Sequence, residues 1–185
     1  MLSKEDKHSM LLINSVLKVK GHKEIEEQEF LAIKSKQLQR QALTDLVYEA
    51  MSLSIEIYHD ILEGVVHLFN PLVKPKNKWS VNSSIWAEAK EFFVEVKRRI
   101  QKLDNIVRDA NKIIDSGITE LDISKEEYDG YEEEILITKG AIEDFILDAK
   151  KEMDRIKSAE AELSILLDTL ADLNNRLTEI QLKCK

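Results

Sequence analysis

Four side chains on one predicted helix have the residue types and the spacing of a metal site. They are Glu56, His59, Glu63 and His67, and we call them the metal stripe. Steps of three and four residues place all four on one side of an α-helix. Glu56 and His59 form a Glu-x-x-His pair, which supplies ligands in di-iron carboxylate bundles. His59 and His67, with Glu63 between them, could alternatively bind a surface zinc ion.

A complete di-iron site needs a second Glu-x-x-His pair and two further carboxylates on facing helices. The second pair in this chain is Glu5 and His8, which lie in a separate polar segment at the start of the sequence. One such pair is common by chance, and the polar side of an amphipathic helix accounts for the stripe without any metal. We therefore predict no cofactor and no metal, and metal binding is the third of three functional interpretations.

Other residue patterns that carry chemistry are missing from the sequence. There is no glycine-rich phosphate loop, no serine–histidine–aspartate set and no cysteine–histidine zinc spacing. The single cysteine, Cys184, has only Lys183 and Lys185 as basic neighbours, so we interpret it as a small apolar residue and not as a nucleophile. One cysteine leaves no internal disulfide, which favours a reducing compartment. The sequence predicts that the protein is not an enzyme.

The composition is typical of long α-helices. Charged residues make up 34% of the chain and aromatic residues 6%, with five Gly and two Pro. The apolar content of 43% is too high for a disordered chain. No signal peptide and no apolar run of membrane-spanning length is visible, so we expect a soluble, cytoplasmic protein, with secretion by a non-classical route as the alternative.

The net charge of −8 argues against nucleic-acid binding, because an acidic chain repels phosphate backbones. The strongest basic run comprises Lys97, Arg98, Arg99 and Lys102. Basic residues at this spacing usually lie on the solvated face of an amphipathic helix. We therefore predict no nucleic-acid partner.

Helical periodicity divides the chain into one short and three long helices within a single domain, residues 1–185. We predict an N-terminal helical segment at 1–22, helix one at 23–69, helix two at 84–116 and helix three at 124–183. The breaks follow from Gly21, from the Asn70-Pro71 pair and from Gly117, and Ser124 with Glu127 forms a capping box. Helix one is apolar around most of its circumference beyond residue 43, which places that part in the middle of the bundle.

Helix three carries the most regular pattern in the sequence. In a heptad frame that starts with Tyr128 at position a, no a position is charged, and Thr138 and Glu152 are the polar d positions. A seam sustained over this length is typical of a coiled coil. We therefore predict an all-α fold, an elongated antiparallel bundle of three long helices with coiled-coil packing.

The predicted helices one, two and three would be about 70, 50 and 90 Å long at 1.5 Å per residue. Roughly the last 25 residues of a continuous helix three would then extend past its neighbours. An apolar seam without an intramolecular partner implies an intermolecular one. The predicted partner-binding residues are Leu163, Leu166, Leu170, Leu173, Leu177 and Ile180. Alternatively, helix three breaks near residues 157–161 and folds back into a compact four-helix bundle, although Ala159 and Ala161 favour the continuous helix.

An apolar tip surrounds the predicted turn after helix one. Its residues are Val65, Val66, Leu68, Phe69, Leu72 and Val73. Such a tip could enter a membrane, as in helical pore-forming toxins, or could lie beneath the passing third helix.

Three functions follow from these patterns. The first is a non-catalytic interaction or scaffold protein that self-associates, for example as a dimer, or binds a partner helix through its C-terminal coiled coil. The second is a membrane-active helical protein, either a pore-forming toxin component or a membrane-shaping module, that uses the apolar tip. The third is the metal-binding helical bundle.

Overall fold

The computed structural model describes the backbone of residues 2–73, 83–150 and 157–184, and the side chains of residues 2–66, 91–147, 161 and 163–184. Within these ranges the chain forms five helices and no strand. They are α1 (Lys4–Val19), α2 (Glu27–Val73), α3 (Ser83–Asp115), α4 (Lys125–Lys150) and α5 (Lys157–Lys183). The prediction of an all-α fold is confirmed.

Several helix ends follow the local signals of the sequence. The Ser3 hydroxyl caps α1 by accepting the N–H of Asp6 at 3.1 Å. At the start of α4 the capping box is complete, because Ser124 Oγ accepts the N–H of Glu127 at 3.1 Å and the Glu127 carboxylate accepts the N–H of Ser124 at 2.9 Å. Gly21 and Gly117 follow α1 and α3 with φ of +73° and +97°, which glycine adopts without strain.

The end of α2 differs from the prediction. The Asn70-Pro71 pair was expected to end this helix at Phe69, but α2 continues to Val73. Including Pro71 in the final turn removes one backbone hydrogen bond and crowds the preceding turn, and both effects are confined to the end of the helix.

The helices α2, α3 and α4 alternate in direction. α3 is antiparallel to α2, since Lys102 pairs with Glu49 at 2.9 Å and the preceding turn of α3 contacts later residues of α2. α4 is parallel to α2, because Tyr48 donates a hydrogen bond to Glu127 at 2.9 Å, and further along both helices His59 contacts Glu134 at 3.0 Å.

The predicted third helix is two helices. The Tyr128 hydroxyl of α4 donates to Thr178 Oγ1 of α5 at 2.9 Å, and the Tyr131 hydroxyl donates to Asn174 Oδ1 at 2.7 Å. In one continuous helix Tyr128 and Thr178 would lie about 75 Å apart. α4 and α5 therefore run antiparallel, and the two tyrosine side chains bridge them. The prediction of a continuous helix at 124–183 is wrong, and the chain folds back as in the alternative, because folding back removes the leucine seam from water. The break expected near residues 157–161 is misplaced, since α5 is already helical from Lys157.

The core lies between α2, α3, α4 and α5. The residues of α2 beyond 43 contact all three other helices, which confirms their predicted central position. Six side chains of α5 are at most 3% exposed in this core. They are Leu163, Leu166, Leu170, Leu173, Leu177 and Ile180.

One end of the bundle is closed by the connection between α3 and α4. Ile118 in this connection is buried. The backbone N–H of Asp122 donates to the Thr44 hydroxyl at 3.1 Å, and Glu120 pairs with Arg40 at 2.9 Å. The bundle therefore ends near Arg40, at the level where this connection crosses α2.

α2 extends beyond that end. It has 47 residues, so it is about 70 Å long, and its first 13 or so residues project about 20 Å past the bundle. α1 lies against this projection, where the Asn14 side chain bonds the Ile25 N–H at 2.8 Å and its C=O at 3.0 Å. Leu2 and Phe30 are buried between the two segments. We call residues 2–39 the N-terminal arm.

Candidate functional site: the N-terminal arm

α1 leaves its apolar side chains in solvent. None of its residues is buried. Five large apolar residues are between 42% and 89% exposed. They are Leu11, Leu12, Ile13, Val16 and Val19. The projecting part of α2 adds a further three, 41–62% exposed: Leu31, Ile33 and Leu38.

Three of the exposed side chains of α1 lie on its outward side. The half-buried residues of the helix are Asp6, Met10, Asn14 and Leu17, whose spacing of four, four and three residues defines the side that faces α2. Leu12, Val16 and Val19 recur at the same spacing on the opposite side. The arm therefore presents an apolar stripe away from the bundle, which no described part of the chain covers.

The first part of the arm is basic, although the chain is acidic. Five lysines against two carboxylates give residues 1–23 a net charge of +3, which leaves −11 for the rest of a chain whose total is −8. The lysines are Lys4, Lys7, Lys18, Lys20 and Lys23. All five are exposed, and none forms an ion pair with any residue that the structure describes.

One of the two carboxylates in residues 1–23 is already neutralised inside the arm. Asp6 is bound by the ammonium group of Lys34 and by the hydroxyl of Ser3. These hydrogen bonds, that from Lys34 first, hold the pKa of Asp6 below its usual value. The outward surface of α1 is therefore an apolar stripe flanked by uncompensated positive charge.

The structure separates the first residues of the metal stripe. Glu56 accepts a hydrogen bond from Arg99 of α3, whereas His59 contacts Glu134 of α4 through Nε2 at 3.0 Å. The two side chains therefore connect α2 to two different neighbours. They do not converge on one point where a metal could bind.

The remaining members of the stripe add no ligand set. Glu63 is exposed, and the side chain of His67 lies outside the described residues. Among the side chains that are described, no group of three or more His, Cys, Asp or Glu could hold a metal ion.

The C-terminal leucine seam is not the exposed surface that its pattern predicted. All six of the predicted partner-binding residues lie in the core, between α5 and the other bundle helices. The expected overhang assumed a continuous third helix, and the antiparallel pairing of α4 with α5 removes it. Cys184 continues the same apolar seam and is buried. Burial raises the pKa of its thiol, which agrees with its interpretation as an apolar residue.

Only part of the apolar tip can be placed. Val65 is fully buried and Val66 is 36% exposed. Leu68, Phe69, Leu72 and Val73 lie outside the residues whose side chains are described. None of the described helices is both long enough and apolar enough to cross a bilayer.

The basic run on α3 is largely occupied by neighbouring carboxylates. Arg99 pairs with Glu56 and Asp60 of α2, and Lys102 pairs with Glu49. These contacts hold α3 against α2, so the run differs from the unpaired lysines of the arm.

A polar cluster in the core was missed by the sequence patterns. Asn174 Oδ1 of α5 accepts the Ser54 hydroxyl of α2 at 2.6 Å and the Tyr131 hydroxyl of α4 at 2.7 Å, while its Nδ2 donates to Tyr58 at 3.4 Å. Burial raises the pKa of Tyr58 to about 12 and also raises that of Tyr131. One amide thus joins three helices and sets the register of α5.

A signal for this cluster was present in the heptad frame. Tyr128 and Tyr131 occupy a and d positions, and a buried tyrosine hydroxyl usually finds a hydrogen-bond partner. Asn174 occupies the e position beside Leu173, where a short amide is close enough to supply that partner.

Comparison of the chain with known protein families, with curated proteins and with solved structures finds no match in any of the three. The functional argument therefore rests on the geometry and charge of the chain itself.

Proposed function

We propose that this protein is a non-catalytic interaction protein that self-associates or binds a partner helix. The four-helix bundle is its scaffold, and the N-terminal arm is its binding surface. The observation that carries the proposal is the exposure of α1, which has no buried residue and five large apolar side chains in solvent. An apolar face of this kind on a basic helix is typical of a protein contact.

The energetics favour a helical partner along the arm. Burying one Leu or Val side chain is worth about 1.5–3 kcal/mol, so the outward stripe supplies several such terms. The entropy lost on association opposes binding with a free energy of comparable size. The net free energy of binding is therefore small, which favours a reversible contact. The unpaired lysines add long-range attraction toward an acidic partner.

A second candidate function is peripheral binding to an anionic membrane surface. Basic helices with an exposed apolar side lie in the lipid interface, where lysines contact headgroups and apolar side chains enter the acyl boundary. The arm, and not the tip at residues 65–73, carries the described features that favour this function.

We further infer coiled-coil packing for α5 inside the bundle. The support is the burial of its consecutive a and d positions, which include Leu163, Leu166 and Leu170. Side chains at this spacing pack as knobs into holes of a facing helix.

The test removes the outward stripe and leaves the bundle unchanged. Leu12→Gln, Val16→Gln and Val19→Gln are combined in an arm variant, and the control combines Leu136→Gln with Ile137→Gln, which are 71% and 64% exposed on α4. Sedimentation velocity measures self-association, and flotation measures binding to vesicles with and without phosphatidylserine. We expect the arm variant to lose the binding that wild type shows, and the control to retain it. Binding that survives in the arm variant would contradict the proposal.

A further inference from the structure

α4 and α5 leave a groove open toward the end of the bundle that is remote from the arm. Its volume is about 460 Å³. Its walls combine the carboxylates of Glu143, Asp144 and Asp168 with the apolar side chains of Ile146 and Leu147. Leu147 is 53% exposed, so apolar surface remains open to solvent inside this groove.

Among the side chains that the structure describes, the negative charge of the groove is largely uncompensated. Lys139 also lines it and lies 3.8 Å from Glu143, at the outer limit of an ion pair. Asp144 and Asp168 form no ion pair with any side chain in the described ranges. The groove is therefore acidic and apolar, whereas the outward side of α1 is basic and apolar.

We infer that the groove between α4 and α5 is the binding site for the N-terminal arm of a second copy of this chain. This inference rests on the proposed function of the arm and names its partner. Lys18 and Lys20 face the groove carboxylates, while Val16 and Val19 contact the apolar wall at Leu147. Complementary charge and apolar surface on two separate parts of one chain favour this partner over a lipid surface.

The arm cannot occupy the groove of its own molecule. The contact of His59 with Glu134 aligns α2 with α4, so Lys139 lies near the level of residue 64 of α2. That level is about 55 Å from the start of α2 at residue 27. Residues 20–26 reach about 24 Å when fully extended, and α1 adds about 24 Å, so the occupant must come from another molecule.

The contact joins two different surfaces, so it is heterologous. Each molecule offers one arm and one groove, and repetition gives head-to-tail chains, or rings where the rotation closes. A single helix in a shallow groove buries a small area, which gives a weak and reversible contact. Because opposite charges carry part of it, association is weakened by salt.

The test is a charge exchange between the two surfaces. A lysine variant carries Lys18→Glu and Lys20→Glu, a groove variant carries Glu143→Lys and Asp144→Lys, and an exchange variant carries all four. Sedimentation velocity over a concentration series up to about 200 µM, at about 0.05 and about 0.5 M salt, gives the association of each. We expect wild type to associate at low salt, each two-site variant to lose at least about tenfold in affinity, and the exchange variant to recover it.

A matched control reverses two acidic side chains of α4 outside the groove, Asp129→Lys and Glu133→Lys, and is expected to associate like wild type. Circular dichroism of every variant verifies the fold. The inference is overturned if wild type stays monomeric at low salt, if the groove variant associates like wild type, or if the exchange variant fails to recover.

Vesicle flotation distinguishes failure of the arm–groove inference from failure of the proposed function of the arm. Monomeric wild type that binds anionic vesicles, with loss in the arm variant, overturns the inference and leaves the arm as the binding surface. Self-association that persists unchanged in the arm variant overturns both.

Discussion

α1 and α5 are equally amphipathic and equally apolar on average, yet they lie in opposite environments. Six apolar side chains of α5 are at most 3% exposed, while five of α1 are 42–89% exposed. α5 has three neighbours in the bundle, whereas the described part of the chain places α1 against the projecting part of α2 alone. An amphipathic pattern therefore shows that a helix has an apolar side. The path of the chain decides whether that side is buried by the same molecule.

The two helices also differ in how they are held. Asn174 of α5 bonds side chains of two other helices inside the core. Asn14 of α1 bonds only the backbone of Ile25, near the surface. We therefore expect α5 to unfold only with the bundle and α1 to open locally.

The largest expected effect comes from truncating the buried seam. Leu170→Ala and Leu177→Ala remove side chains that are fully buried, and each should lower the free energy of unfolding by about 2–5 kcal/mol. Leu12→Ala and Val19→Ala remove exposed side chains of α1 and should change it by less than about 0.5 kcal/mol. Urea unfolding followed by circular dichroism measures both pairs. Equal effects in the two pairs would contradict the comparison.

The two asparagines provide a smaller, matched contrast. Asn174→Ala leaves the hydroxyls of Ser54 and Tyr131 without their acceptor and should cost about 1–3 kcal/mol of global stability. Asn14→Ala frees the backbone of Ile25 at the surface, so global stability should not change, while amide exchange in α1 should become faster. A global loss from Asn14→Ala that equals the loss from Asn174→Ala would show that the arm is part of the cooperative core.

Changes of pH should affect the bundle core and α1 at opposite ends of the pH scale. The pKa of Tyr58 is raised to about 12, so the neutral phenol stabilises the fold below pH 10 and this contribution is lost as pH rises from 10 to about 12. The pKa of Asp6 is lowered by Lys34, so its contribution to docking of α1 is present above about pH 4 and is lost as pH falls through the lowered pKa.

Unfolding of wild type and Tyr58→Phe at pH 9 to 12 measures the alkaline effect, which the variant should reduce. Amide exchange of α1 in mild acid, compared with Asp6→Asn, measures the acidic effect. An acid response in α5 with none in α1 would contradict the assignment of Asp6 to the arm.

Local features of the fold were predictable because they depend on neighbouring residues. Ser3 and Ser124 are capping residues, Gly21 and Gly117 adopt positive φ, and the heptad frame correctly identified apolar positions that need cover. The separation of α4 from α5 was not predictable from local signals, since no Gly or Pro occurs between residues 141 and 185. The separation shows only in contacts between residues far apart in sequence, such as that of Tyr128 with Thr178.

The residue types of the candidate site were predictable from the sequence, but its position on the molecule was not. The apolar residues of α1 and its lysines are visible in the sequence. Their exposure depends on the bundle ending near Arg40. That end is set by contacts between residues far apart in sequence, Asp122 with Thr44 and Glu120 with Arg40. The leucine seam was the stronger pattern, and its regularity reflects a core position in this chain.

The most direct test of the central claim is hydrogen exchange, resolved by segment, at about 1 µM and at about 200 µM protein. The claim is that α5 is covered within the molecule and α1 is covered only by a partner. It predicts that α5 is protected equally at both concentrations and that α1 gains protection at the higher one. Protection of α5 that rises with concentration, with α1 unchanged, would contradict the account, because it would make the leucine seam the intermolecular surface.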